Sequence, residues 1–183
     1  MVQESIEKYR FIRLNENNVV ESFDCGDQDL NDFILNRSVA YQKYLLSVSY
    51  AFANPDNGKI LAYCSLANDK VAVTDFRDKT EFNRFRRHHG FPNAKRLKSY
   101  PAVKLCRLGV DTSAKGKQIG TRILNYIKSM YAMENKAGCR FLTVDAYLGA
   151  IPFYIKNDFQ FMNAEDTDPH TRMMYFDLKD IVD

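Results

Sequence analysis

Between Leu108 and Leu124 a strand-like run enters a turn holding two glycines and opens directly into a long amphipathic helix. A strand joined so closely to a helix of that length belongs to a mixed α/β layer architecture. The strand is expected over Ala102 to Val110, after Pro101, and the helix over about Gln118 to Lys136. Ile123, Leu124, Ile127, Met130 and Tyr131 repeat at the spacing of one buried face, and Gly138 sits where a C-cap belongs. A helix N-terminus presents unpaired N–H groups and the positive end of the macrodipole, so it receives phosphate readily. Gly116 and Gly120 let backbone approach a ligand, and Lys115 and Lys117 add positive charge. The same glycines also suit a tight turn that binds nothing, and spacing alone leaves both readings open.

The rest of the chain fits around this unit. Tyr9 to Leu14 alternates apolar and polar residues as a half-buried strand does. Asp27 to Tyr44 reads as an amphipathic helix with an acidic first turn. Leu45 to Ala53 and Lys59 to Leu66 read as strands joined through Asn54-Pro55-Asp56-Asn57-Gly58, which is hairpin chemistry. Arg140 to Ala146 reads as a buried strand, Gly149 to Asn157 as a helix, and Phe159 to Met162 and Arg172 to Leu178 as closing strands. The expected order is β-α-β-β-insert-β-α-β-α-β-β.

The insert, about residues 75–100, is a short helix and a loop broken at Gly90 and Pro92. It carries Arg77, Lys79, Arg84, Arg86, Arg87, Lys95, Arg96 and Lys98, with Phe76, Phe82, Phe85 and Phe91 interleaved. A charge run is usually a solvated face, yet basic residues among aromatics also suit an RNA backbone with stacked bases. His88-His89 lacks the carboxylate or cysteine company of a metal site and reads as solvated loop.

At 183 residues, 45% of them hydrophobic, the chain is expected to form a single domain, 1–183, with a sizeable core. No apolar run approaches a membrane span, and the first residues lack the uninterrupted apolar stretch of a secretory signal. Cys25, Cys64, Cys106 and Cys139 form no C-x-x-C pair and read as reduced, mostly buried thiols of a cytoplasmic protein. A net charge of +3 is too small to imply nucleic-acid binding by itself. Metal-dependent and cysteine-nucleophile chemistry find no motif here.

Three stretches together resemble the GNAT (Gcn5-related N-acetyltransferase) family. Arg107-Leu108-Gly109-Val110 followed by Lys115-Gly116-Lys117-Gln118-Ile119-Gly120 resembles its strand and Q/R-x-x-G-x-G/A loop, with Lys115 for Arg/Gln and Gln118 for the middle glycine. Phe153-Tyr154-Ile155-Lys156-Asn157-Asp158-Phe159 resembles its F-Y-x-x-x-G-F helix, with Asp158 for glycine. Phe23-Asp24-Cys25-Gly26, with Leu30 and Phe33, is similar to the start of the subgroup containing toxins that acetylate aminoacyl-tRNA.

The resemblance implies a mostly antiparallel mixed sheet splayed at its centre and flanked by helices, and transfer of an acetyl group from acetyl-CoA to a primary amine in a ternary complex, without metal. It implies that the pantetheine arm lies along Leu108, Gly109 and Val110. The pyrophosphate would sit on N–H groups of Lys115, Gly116, Lys117, Gln118, Ile119, Gly120 and Thr121, where Gln118 is tolerable if its φ is negative. Tyr154 would protonate the departing sulfur; by residue pattern it is a core tyrosine beside Phe153, one of 11 in the chain. Asp145 and Glu134 are candidates for a general base by residue type only. The acceptor is left open between a small amine, a peptide and aminoacyl-tRNA, as is the state, monomer or homodimer. A non-catalytic module binding CoA or nucleic acid is the alternative that Gln118 and Asp158 keep open.

Overall fold

A computed structural model describes residues 9–91, 97–134, 136–163 and 168–182. Seven strands form one sheet in the order β1-β2-β3-β4-β5-β7-β6: β1 (Arg10–Arg13), β2 (Val48–Ala53), β3 (Ile60–Ala72), β4 (Ser99–Val110), β5 (Phe141–Tyr147), β6 (Gln160–Phe161) and β7 (Thr171–Asp177). The β1–β2, β2–β3, β5–β7 and β6–β7 pairs are antiparallel. β4 and β5 pair in parallel through a short ladder, Ala102–Lys104 against Phe141–Thr143. Parallel neighbours need a crossover, and α4 (Ile119–Met133) supplies it. By contacts the chain divides into two compact units, one of Met1–Ala67 with Leu105–Met130 and one of Asn68–Lys104 with Tyr131–Asp183.

In the first unit, α1 (Gln28–Asp32) is capped by Asp27, whose carboxylate accepts the Leu30 N–H at 3.0 Å. A π-helical turn (Phe33–Arg37) follows, and α2 (Ser38–Lys43) completes the expected helix. Phe33 and Ile34 pack with Ala51 and Tyr63 of the sheet, together with Leu14, Val20 and Phe23. The opposite strand face carries Phe11 and Phe52, and Tyr126 of α4 meets their rings at 4.4 and 6.2 Å. The hairpin closes as its turn residues require: Asn54 C=O accepts the Gly58 N–H at 2.8 Å, with Gly58 at φ +70.

In the second unit, α3 (Lys79–His88) is capped by Asp78, which accepts the Thr80 and Glu81 N–H groups at 2.8 and 2.9 Å. Its inner residues Phe82 and Phe85 join Phe76, Val71, Tyr100, Ala102, Phe141, Met162 and Tyr175 in one core. Burying each phenylalanine stabilises the unit by about 1.5–3 kcal/mol. A second packing group joins Tyr154 of α5 (Ile151–Lys156), Phe159 and Phe176, with ring centroids 5.3 and 6.0 Å apart.

Several expectations are corrected. β2 begins at Val48, because Tyr44–Leu46 forms the helix-ending turn, with Leu45 at φ +57 and the Leu46 N–H on the Tyr41 carbonyl. Pro101 lies inside β4 and β3 runs on to Ala72. α4 ends at Met133, so Gly138 does not cap it. His89 is not solvated loop. Its side chain is 6% exposed, with Nδ1 2.8 Å from Asp177 Oδ2 and Nε2 3.1 Å from the Tyr175 hydroxyl. Arg140 donates to both Asp177 oxygens, at 2.6 and 2.8 Å, and to the His89 carbonyl at 3.2 Å.

Burial acts to raise the Asp177 pKa, but the hydrogen bonds from His89 and Arg140 outweigh it and hold the carboxyl well below the ordinary carboxylate range. Because the folded pKa is depressed, the stabilisation is present above the unfolded value of about 3.9 and is lost as pH falls through the folded one. Asp177→Asn should cost about 3 kcal/mol near pH 7, since it leaves Arg140 without its counter-charge. Urea titrations at a series of pH values should show wild type and variant converging as pH falls below about 4; a gap constant with pH would contradict the ionic role.

Candidate active site

The turn between β4 and α4 is built on one buried carboxylate. Asp111 is 5% exposed. Its Oδ1 accepts the Ser113 N–H at 3.0 Å and the Ser113 hydroxyl at 2.5 Å, which caps the 3-10 turn Thr112–Ala114. Oδ2 accepts the Asp24 N–H at 3.3 Å, and Lys59 Nζ stands 3.2 Å from Oδ1 and 2.8 Å from the Ser113 hydroxyl. Burial acts to raise the Asp111 pKa, but the bonds from Ser113, Asp24 and Lys59 outweigh it and the carboxyl stays ionised at lower pH than usual. The Asp111 N–H meets the Leu61 carbonyl at 2.9 Å and the Thr112 N–H meets the Asp24 carbonyl at 2.8 Å. Asp24 Oδ1 in turn accepts the Gly26 N–H and the Asn31 amide, each at 2.9 Å.

From this anchor the chain turns outward. Lys115, Gly116, Lys117 and Gln118 are exposed, Ile119 and Gly120 are buried in the first turn of α4, and Thr121 is half-buried. Gly116 stands at φ +79, and a Cβ there would have nothing within 4 Å. Gln118 stands at φ +57, which corrects the expectation of a negative φ. A side chain therefore occupies a left-handed position suited to glycine, while the backbone keeps the conformation. Asp158 does the same at φ +65 after α5. The first turn of α4 leaves its N–H groups unpaired within the helix, beside the exposed Lys115 and Lys117. Such an arrangement suits a phosphate or pyrophosphate.

Along β4, Leu108 and Val110 are half-buried and Gly109 is buried. A Cβ on Gly109 would lie 2.7 Å from Tyr63 and 3.2 Å from Phe23, so glycine is required there by packing. Arg107 stands over the Phe33 ring at 3.8 Å. The sequence pattern gives Arg107 a place in a motif and no role. It gives none to Asp111 or Lys59 either, although the Asp-x-Ser spacing of a capped turn is readable.

Tyr154 lies in the other unit, 7% exposed, against Phe153 and Phe159 at 5.2 and 5.3 Å. Burial pushes its phenol well above the ordinary value, so it carries its proton throughout the physiological range. Asp145 is exposed and pairs with Lys104 Nζ, and Glu134 is exposed. The insert's phenylalanines do not offer stacking faces: Phe76, Phe82 and Phe85 are core, and Phe91 stacks on Tyr100 at 3.8 Å. Arg77, Lys79, Arg84, Arg87, His88 and Lys98 are exposed, while Pro92, Lys95 and Arg96 fall outside the described residues. Cys25 and Cys64 are buried, Cys106 and Cys139 half-buried, and all four are free thiols. Among the described residues no group of three or more metal-ligating side chains occurs, and no helix is long and apolar enough to cross a membrane.

Residues 90–178 match the family model described as acetyltransferase (GNAT) domain. The chain is 26% identical over 173 residues to a tRNA-acetylating toxin of Mycobacterium tuberculosis (strain ATCC 25618 / H37Rv), covering 93% of this chain and 94% of the toxin. Among solved structures, a bacterial toxin superposes with a TM-score of 0.77 at 15% identity, over 95% of this chain and 93% of that one. AtaT complexed with acetyl-methionyl-tRNAfMet superposes with a TM-score of 0.74 at 20% identity, over 95% and 97%. AtaTR bound with AcCoA gives 0.73 at 20% identity, over 96% and 97%. These superpositions establish the fold.

Two substitutions test the local geometry. Gly109→Ala should destabilise the protein by about 1–3 kcal/mol through overpacking against Tyr63 and Phe23. Gln118→Gly should stabilise it by about 0.5–1 kcal/mol by relieving a left-handed side chain. Chemical denaturation reads both signs.

Proposed function

The chain carries an acetyltransferase domain of the GNAT family, and from that premise we propose that it transfers the acetyl group of acetyl-CoA to the α-amine of an aminoacyl-tRNA, in the manner of a toxin. The observation that carries this reading is the likeness, over nearly the whole of both chains, to a tRNA-acetylating toxin. AtaT, a relative in fold, has been seen both with AcCoA and with acetyl-methionyl-tRNAfMet.

In this reading the N–H groups from Gly116 to Thr121, with Lys115 and Lys117, hold the pyrophosphate of acetyl-CoA. The exposed, cationic and left-handed turn suits that anion. The pantetheine arm lies along the backbone of Leu108 to Val110. The uncharged amine attacks the thioester carbonyl: a C–N bond forms, the C–S bond breaks, the amine proton passes to water and coenzyme A departs as a thiolate. An N–H near Val110 faces the oxyanion. An α-amine of ordinary pKa about 8 is substantially neutral at physiological pH and needs no stronger base than water. Tyr154 directs its phenolic O–H at the departing sulfur. Its raised pKa makes it a weaker acid than free tyrosine, so it acts more as a hydrogen-bond donor to the thiolate than as a full proton source.

The direct test incubates the protein with labelled acetyl-CoA and with separate pools of aminoacyl-tRNA, deacylated tRNA, protein and small amines. Label should appear on the α-amine of the esterified amino acid. Preferential labelling of protein or of free amines would overturn the acceptor.

Tyr154→Phe should lower kcat by about 100-fold, the low end for a general acid, with little change in acetyl-CoA affinity. Retention of kcat within about twofold would remove Tyr154 from the chemistry. Neutralising Arg84, Arg87 and Lys98 together should raise KM for aminoacyl-tRNA and flatten its log–log salt dependence by roughly 0.7–0.9 for each phosphate no longer held. Identical salt slopes in wild type and variant would make those residues a solvated face.

A further inference from the structure

Arg107 differs from Arg37, Arg86 and Arg140, also half-buried, in what surrounds it. Arg37 reaches Asp29 and Asp32 at 2.9 and 2.6 Å. Arg140 reaches Asp177, and Arg86 reaches the Tyr100 hydroxyl at 2.9 Å. Among the described residues Arg107 has no carboxylate, carbonyl or hydroxyl partner. Its guanidinium instead lies 3.8 Å from the centroid of Phe33 and 5.7 Å from that of Tyr41. Cation–π contact satisfies the face of the guanidinium and leaves its in-plane N–H donors without acceptors. Those donors are not sealed from solvent, so an incoming anion can reach them.

The local backbone is shaped to make this arrangement. Phe33 and Tyr41 are eight residues apart, which on an ideal α-helix places them about 80° apart in azimuth. The π turn Phe33–Arg37 closes with the Ser38 N–H on the Phe33 carbonyl and inserts the equivalent of one residue. That brings both rings to one face, where they meet at 5.1 Å edge-to-face and share Arg107. π turns of this kind recur at functional sites. Phe33 is fully buried and Tyr41 half-buried, so the rings fix the plane of the fork from one side.

We propose that Arg107 is a specificity residue for the acceptor, holding the phosphate nearest its aminoacylated end through the guanidinium fork. The inference rests on the reading of the acceptor as aminoacyl-tRNA. Arg107 stands three residues before Val110 on an extended strand, about 10 Å along it. In an aminoacylated 3′-terminal nucleotide the α-amine and the 5′-phosphate are separated by the ester and the ribose, a span of the same order. The phosphates of acetyl-CoA are assigned to the turn beyond Val110, so the anion at Arg107 is the acceptor's. A planar fork held rigid against rings discriminates phosphate by bidentate geometry, which a lysine cannot reproduce.

The test compares Arg107→Met and Arg107→Lys with wild type on two acceptors, aminoacyl-tRNA and a 3′-aminoacyl nucleoside without phosphate. Arg107→Met should lose at least about 30-fold in kcat/KM on aminoacyl-tRNA. Its loss on the nucleoside should be several-fold at most, and its salt slope on tRNA should fall by roughly 0.7. Arg107→Lys should fall between, with the salt slope of wild type. Calorimetric titration with acetyl-CoA shows that each variant is folded and should return an unchanged Kd. Equal losses on both acceptors, or none, would overturn the proposal and leave Arg107 a packing residue. A weakened acetyl-CoA Kd would assign the phosphate to the cofactor and also overturn it. Failure of the wild type on aminoacyl-tRNA would sink the acceptor reading itself, and this inference with it.

Discussion

The first unit depends on one ionised, nearly inaccessible carboxylate. Asp111 follows β4, caps the turn after it, ties in the Asp24 backbone and draws in Lys59 from the hairpin connection just before β3. A buried carboxylate costs several kcal/mol unless its oxygens are fully hydrogen-bonded. Here the bonds come from three separate stretches of chain, so satisfying Asp111 fixes those stretches relative to one another. The exposed residues Lys115–Gln118 can then be held in one conformation without packing of their own. An anion site made of backbone N–H groups needs that rigidity, because its donors cannot be reoriented by rotamer changes.

Much of the architecture was legible because its signals are local. The Asn54–Gly58 turn and the apolar face of α4 each declare themselves within a few residues, and each forms as its chemistry requires. What was not legible depends on distant partners. His89 and Asp177 lie 88 positions apart, and nothing near His89 in sequence hints at a carboxylate. The phenylalanines among the basic residues left a nucleic-acid surface open beside the solvated face, because linear interleaving does not distinguish the two faces of a helix. α3 sends Phe82 and Phe85 inward and Arg84 and Arg87 outward, at the spacing an amphipathic helix dictates. The basic residues of its last turn, Arg86, Arg87 and His88, also complement the helix dipole, so part of that charge is explained before any partner is invoked.

The two departures from the family's glycine pattern are instructive for the same reason. Gln118 and Asp158 replace glycines, and a motif comparison counts each as a defect. Both adopt left-handed backbone, φ +57 and +65, so the conformation that glycine would make easy is retained under strain. Both side chains are exposed, so neither is forced into place by burial. The strain, of order 1–2 kcal/mol at each position, is borne by the surrounding structure. At the turn that structure is the Asp111 anchor, seven residues upstream of Gln118.

The net charge of +3 gives only a weak long-range field, so recognition of a polyanion must come from where individual cations stand. The arginines divide accordingly. Arg37 and Arg140 are neutralised by aspartates within their own units and serve the fold. Arg84 and Arg87 are exposed on α3 and can contribute generic, salt-sensitive attraction. Arg107 is neither: it is recessed, oriented by two aromatic rings and without an acceptor for its fork among the described residues. Diffuse surface charge attracts any phosphate chain equally, whereas one oriented guanidinium fork can distinguish a particular phosphate by its geometry. In the proposed reading, affinity and selection for the acceptor are carried by different cations, so the overall charge of the chain would say little about what it binds.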